Sequence, residues 1–382
     1  MNKFLKALGF VAMSSLVACS AISDDDQNAQ VNEVQGGKKD SVKAHNFAVG
    51  IRNQMGAVCS GTLIAPNLVL TARHCVVAPE AKQAVTCEDE FEDNIAPANL
   101  TVTTDPVISG SKNLYQVTEI VTPQAKGFCG NDIALIRLAK NIPTAEAEPA
   151  VPVVNFSIAD KVRLSGQVAA LGYGITAPNA GDQGTRRVRQ DIDIICVPGD
   201  DSYDCSKTIY STMIDDKAEF ITQGYVCSGD SGGGAFDQSS FTSTGRPYVL
   251  GALSRGPMND TQCLAAIYSR TDAHKDLIVS AAKKAAELGQ YESADWVKGV
   301  VAPASTPASG TRPAAPAEGC EGETCTATDA TDPSAPSAPG SDSTIKTTTG
   351  GCSSAPGATS NGALLGLAFA TALVLRRRRR AD

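Results

Sequence analysis

Three short stretches of this 382-residue chain carry side chains that could move a proton and attack a carbonyl. Thr71-Ala72-Arg73-His74-Cys75 offers an imidazole, Asn131-Asp132-Ile133-Ala134-Leu135 a carboxylate, and Gly229-Asp230-Ser231-Gly232-Gly233 a hydroxyl among glycines. A serine hydroxyl is a feeble nucleophile at neutral pH and needs a base within hydrogen-bond reach, itself oriented by a third group. The order His, Asp, Ser, at separations of 58 and 99 residues, supplies one of each. Singly, a core histidine, a strand-end aspartate and a turn serine are ordinary; their joint occurrence points to nucleophilic catalysis. The three histidines lie far apart and no metal-ligand spacing is found, so neither metal nor cofactor is expected.

Such residues need a rigid frame. Short Val- and Ile-rich runs recur between turn residues, at Phe47 to Ile51, Thr62 to Ile64, Leu68 to Thr71, Ile133 to Leu138, Gln167 to Leu171 and Tyr248 to Leu253. Many short strands punctuated by Gly and Asn predict an all-β barrel or sandwich. Helical periodicity is convincing only from Asp272 to Leu288, with Leu277, Ile278, Ala281, Ala285 and Leu288 on one side.

The three motifs together resemble the chymotrypsin/trypsin-like serine endopeptidases, over residues 34 to about 288. That resemblance implies an all-β fold of two six-stranded Greek-key barrels with a C-terminal helix. It implies that Ser231 attacks the scissile carbonyl, His74 takes and returns the proton, and Asp132 fixes the imidazole tautomer. Gly229 and Ser231 amides are expected to form the oxyanion hole, glycine permitting the unusual backbone. Val34-Gln35-Gly36-Gly37 stands where the family is cleaved for activation, so the new amine of Val34 would turn inward to Asp230. Glu33 before the cut argues against a trypsin-like activating protease.

Specificity and disulfides follow from the same resemblance. Tyr225 takes the pocket-floor position, six residues before Ser231, where trypsin-like members carry Asp. A Lys or Arg side chain would then be buried unpaired, so cleavage after small or medium neutral residues is expected. Gly256 and Ala266 match the pocket walls, and Ser254 matches the serine that supports the triad Asp. Arg255 replaces the usual aromatic, Arg73 the commoner Ala and Gly234 a Pro. Cys59 and Cys75 bracket the histidine loop as a family disulfide does, and Cys227 with Cys263 would tie the nucleophile loop to the pocket wall. Cys87 with Cys129 and Cys196 with Cys205 are further pairings, although sequence alone cannot fix connectivity.

The remainder of the chain addresses and tethers this domain. Lys3 and Lys6 precede an apolar run ending Leu16-Val17-Ala18-Cys19, which resembles a bacterial lipobox with Cys19 as the lipidated residue. Residues 20–33 read as a tether or propeptide, and 34–298 as the protease domain. In 299–350 Ala, Pro, Ser, Thr and Gly dominate and no core could form, so it reads as a flexible linker. From 351 to 382 a Cys motif at Cys352, a short apolar run and Arg376 to Arg380 resemble a myxobacterial-type sorting tail. Without that arginine run, 28 positive charges face 41 negative ones, which excludes nucleic acid as a partner. Twelve widely spread cysteines fit an oxidising compartment. The expectation is a monomeric enzyme exported to the outer membrane, cell surface or exterior of a Gram-negative bacterium. Its partners would be protein or peptide substrates, an activating protease, the tail's sorting machinery, and the membrane through lipid and tail. The competing reading is a catalytically silent homologue serving as a surface binding or adhesion module.

Overall fold

A computed structural model of the chain describes residues 37–77, 86–215 and 217–301. The expectations for Cys19, Val34, the tether, most of the linker and the sorting tail lie outside those residues.

After the two-residue strand β1 (Lys38–Lys39), six strands close on themselves. They are β2 (Ala48–Asn53), β3 (Val58–Ala65), β4 (Leu68–Thr71), β5 (Leu100–Thr103), β6 (Leu114–Val121) and β7 (Ala134–Leu138), ordered β2-β3-β4-β7-β6-β5 and antiparallel throughout. All four residues of β4 are buried, which is why an unbroken apolar run located it accurately. A short strand β8 (Val151–Pro152) leads into β9 (Gln167–Gly172), β10 (Arg187–Cys196), β11 (Glu219–Gln223), β12 (Gly234–Asp237), β13 (Tyr248–Arg255) and β14 (Ala265–Arg270). These last six form a second ring, closed where β9 pairs with β10, while β1 pairs with β10 and β8 with β13. The expected pair of six-stranded barrels is therefore the architecture.

Among the described residues two α-helices accompany the barrels. The six-residue α1 (Gln238–Ser243) was not expected from its polar sequence; the Asp237 carboxylate caps it by accepting the Ser240 N–H at 2.8 Å. The second helix, α2 (Lys275–Gly289), begins three residues later than its periodicity suggested. The Asp272 carboxylate is engaged instead by the Arg270 guanidinium and the Ile158 N–H, which holds that segment in a turn. Ile278, Ala281, Ala282, Ala285 and Ala286 face the core, and Leu288, expected with them, is 52% exposed in the last turn of the helix.

Aromatic packing joins the barrels: Phe47, leading into β2, lies 4.9 Å from the Phe236 ring of β12. Tyr173 follows β9 and directs its single hydroxyl proton at the first barrel, with the Asp105 carbonyl 2.9 Å and the Ala48 carbonyl 3.2 Å away. A buried ion pair fastens the leading segment: Arg186, fully buried, donates from Nε to Asp40 Oδ2 at 2.8 Å and from its other nitrogens to Asn46 Oδ1 and the Val42 carbonyl. Burial pushes the Asp40 carboxyl upward, but the His45 hydrogen bond and the Arg186 charge hold it below its usual 3.8.

Removing one partner of such a pair strands a buried charge. Asp40→Asn should lower stability in urea denaturation by about 3 kcal/mol at neutral pH. A carboxylate with a depressed folded-state pKa stabilises above its unfolded value and loses that contribution as pH falls through the folded one. The gap between wild type and Asp40→Asn should therefore narrow below about pH 3.8.

Candidate active site

His74 stands just beyond β4, in the single 3₁₀ turn Arg73–Cys75 that the Cys59–Cys75 disulfide ties back to β3. Asp132 sits in the turn before β7, where the Asn131 side-chain amide donates to the Gly127 and Cys129 carbonyls and shapes the bend. The Asp132 carboxylate is wholly buried. Its Oδ1 accepts the His74 backbone N–H at 2.9 Å, and its Oδ2 accepts from His74 Nδ1 at 2.8 Å and from the Ser254 hydroxyl at 2.6 Å. An ionised carboxylate only accepts, so the proton shared with the ring belongs on Nδ1 and Nε2 is left as the acceptor. Burial pushes Asp132 up and His74 down, but the attraction between the two reverses both: Asp132 falls below its ordinary value and His74 rises above 6.5.

Ser231 lies in the turn preceding β12 and lines the same cleft as His74, a hollow of about 200 Å³ bounded on the first-barrel side by Ile51, Val58, Cys59 and Val77. That turn is packed too tightly for side chains. A Cβ on Gly232 (φ +79°) would stand 2.0 Å from Thr71 Oγ1, and one on Gly229 (φ +94°) would stand 2.8 Å from Gly174 Cα. The N–H groups of Asp230, Gly232 and Gly233 donate to the Cys227, Leu253 and Asp230 carbonyls. Those of Gly229 and Ser231 donate to no acceptor among the described residues, and are available to an incoming oxyanion.

Ser60, on β3, was not singled out by sequence, yet it grips this turn from the opposite barrel. Its N–H donates to the Ser231 carbonyl at 2.8 Å, its hydroxyl donates to the Gly229 carbonyl at 2.9 Å, and the same oxygen accepts the Tyr173 N–H at 2.9 Å. Ser269 was likewise missed; its hydroxyl donates to the Asp132 carbonyl at 2.8 Å. Neither belongs to a recognisable motif, and only the fold reveals them.

Asp230 is buried beneath the turn that carries Ser231. Its Oδ1 accepts the Gly174 N–H at 2.8 Å and its Oδ2 the Cys227 N–H at 2.9 Å, in a notch that a Cβ on Gly172 or Gly174 would fill. Burial pushes this carboxyl up to about 6, against those two hydrogen bonds and the Arg187 charge. Its expected partner, Val34, lies outside the described residues, but Lys38 and Lys39 already pair with Val188 and Arg187 of β10.

Around the expected specificity pocket, Tyr225 has a left-handed backbone (φ +86°) and the Arg189 guanidinium stacked 3.7 Å from its ring centre. Gly256 runs so close to its neighbour that a Cβ would stand 2.1 Å from the Ala265 carbonyl oxygen. Ala266 is fully buried and packs with Tyr225 in the second barrel's core. The Ser254 side chain is directed to Asp132, so only its backbone remains for a pocket. Arg73 points away from the cleft, donating to the Pro123 and Ala125 carbonyls over the Phe91 ring. The disulfides are Cys59–Cys75, Cys87–Cys129, Cys196–Cys205 and Cys227–Cys263 among the described residues.

Two closed barrels meeting at a buried Asp–His pair beside a glycine-flanked serine define a class, and sequence comparison agrees with it. The Trypsin family model matches residues 34–278, well over half of the chain, and the protein belongs to that family. It is similar to phenoloxidase-activating factor 3 of Holotrichia diomphalia, 30% identical over 242 residues, covering 58% of this chain and 62% of that protein's length. It is also 26% identical to a trypsin of Saccharopolyspora erythraea over 64% of this chain and 96% of that one. With trypsin theta of Drosophila erecta it shares 24% identity, over 71% and 94%.

The raised proton affinity of His74 depends on one carboxylate. In Asp132→Asn the imidazole titration followed by NMR should drop below 6.5, burial then acting unopposed. A midpoint unchanged from wild type would show that Asp132 is not what charges the ring.

Proposed function

We propose that this protein is a serine endopeptidase, made as a zymogen and exported to the surface or exterior of a Gram-negative bacterium. The observation that carries the reading is the buried Asp132 holding His74 in the tautomer whose Nε2 can accept a proton, in one cleft with Ser231. In the reaction Ser231 Oγ attacks the carbonyl carbon of the scissile bond as its proton passes to His74 Nε2. Negative charge developing on the carbonyl oxygen is met by the Gly229 and Ser231 N–H groups, preorganised donors of the kind worth roughly 100- to 1000-fold in turnover. His74 then gives its proton to the leaving amine, and water repeats the sequence to free the acyl group from Ser231.

Cleavage before Val34 would supply an ammonium for Asp230, whose raised proton affinity marks a buried charge that a cation would stabilise. Tyr225, at the position matched to the pocket floor, is a ring stacked with the Arg189 guanidinium and not a carboxylate, which supports cleavage after small or medium neutral residues. Lipidation at Cys19, removal or retention of the tail beyond residue 350, and a monomeric state belong to the same reading. None of these steps calls for a metal or cofactor.

A fluorophosphonate probe separates this reading from a silent adhesion module. Protein cleaved before Val34 should be labelled stoichiometrically, Ser231→Ala should not be labelled, and a peptide library should return neutral residues at the cut. Absence of labelling in the cleaved wild type supports the silent homologue, and a Lys or Arg preference overturns the pocket reading.

A further inference from the structure

Arg255, next to Ser254 on β13, occupies a place where the sequence departs from its family, and its side chain is only 11% exposed. Nη1 donates to Glu219 Oε1 at 2.6 Å and to the Ser254 hydroxyl oxygen at 3.0 Å. Nη2 donates to Glu219 Oε2 at 2.9 Å and to the Met213 carbonyl at 2.6 Å. Glu219, on β11, is completely buried and also accepts the Asp215 N–H at 2.7 Å. The fork-to-carboxylate geometry fixes the guanidinium in direction as well as position.

That arrangement determines where the Ser254 proton goes. A guanidinium can only donate, so it occupies a lone pair of Ser254 Oγ, and a hydroxyl has a single proton. The remaining partner of Ser254 is Asp132 Oδ2 at 2.6 Å, which must receive it. A continuous line therefore runs from Glu219 through Arg255, Ser254 and Asp132 to His74.

We propose that Arg255, clamped by Glu219, is a positioning residue of the triad that locks the Ser254 hydroxyl as a donor to Asp132 and so fixes the carboxylate that holds the His74 ring. The inference rests on reading His74 and Ser231 as base and nucleophile. Charged groups around the ring are Asp132 before β7, Arg255 on β13 and Glu219 behind it on β11. Arg73, on the histidine's own turn, directs its guanidinium to the Pro123 and Ala125 carbonyls. The Arg255 charge lowers the proton affinity that Asp132 raises. Phe128 is near both, its ring 6.5 Å from that of His74 and 5.6 Å from the Arg255 guanidinium carbon.

The test uses opposed charges and does not need turnover. In full-length Ser231→Ala protein, the His74 titration is followed by NMR and assigned with His74→Gln. Adding Arg255→Met should raise its midpoint by about half a unit. Adding Glu219→Gln instead should lower it, because the guanidinium is then uncompensated. Arg255→Lys, which keeps the charge, should leave the midpoint near that of the parent, and it decides the matter against Arg255→Met if Glu219→Gln does not fold. In the enzyme with Ser231 restored, Arg255→Met should reduce kcat about tenfold, as loss of one charge-assisted hydrogen bond would, with KM within about twofold. Midpoints that move together in folded Arg255→Met and Glu219→Gln, or stay still in both, overturn the inference. Absence of fluorophosphonate labelling in wild-type protein cleaved before Val34 overturns the protease reading instead, and leaves the titration to judge Arg255.

Discussion

The Asp132 carboxylate is a full negative charge with no contact to solvent. Such a group is tolerated only when each oxygen is met by donors, and here the donors come from both barrels. The first barrel supplies the His74 backbone and ring; the second supplies the Ser254 hydroxyl. Satisfying this one charge thus sets the mutual placement of the 73–75 turn, the approach to β7 and strand β13. The proton-accepting nitrogen of His74 faces the cleft as a consequence of that satisfaction.

The nucleophile turn obeys a second constraint, close approach. Gly229 and Gly232 admit the first barrel and the 172–174 segment at distances no Cβ could tolerate, and Ser60 closes the contact with bonds to the Ser231 and Gly229 carbonyls. Those bonds engage the carbonyls of residues 229 and 231 and leave their N–H groups free. Gly232 is therefore required by packing between the barrels, and Gly229 by packing against the 172–174 segment, as much as by backbone angle.

The candidate site residues His74, Asp132 and Ser231 were legible because each lies in a compact local motif, and β4 was legible because all four of its side chains are buried. Strand β10 escaped notice since Arg187, Arg189, Asp191 and Asp193 interrupt its apolar pattern, partner strands and solvent sharing its faces. Helix α1 depends on a single cap and has no periodicity to read. The Arg255–Glu219 pair was invisible for another reason: its members sit on β13 and β11 with β14 between them, a neighbourhood that exists only once the second ring has closed. Ser254, matched by position to the serine that supports the Asp, does donate to Asp132, and that contact leaves only its backbone for the pocket it was also grouped with.

The central claim is that Ser231 becomes covalently acylated through a base that Asp132 holds in place. The most direct measurement is pre-steady-state hydrolysis of an activated p-nitrophenyl ester by protein cleaved before Val34, with the trapped acyl group mapped by mass spectrometry. The account predicts a burst of nitrophenol equal to the enzyme concentration, its rate rising with pH as His74 loses its proton, and acyl mass on Ser231. A linear time course without a burst, or acyl mass on another residue, would contradict it.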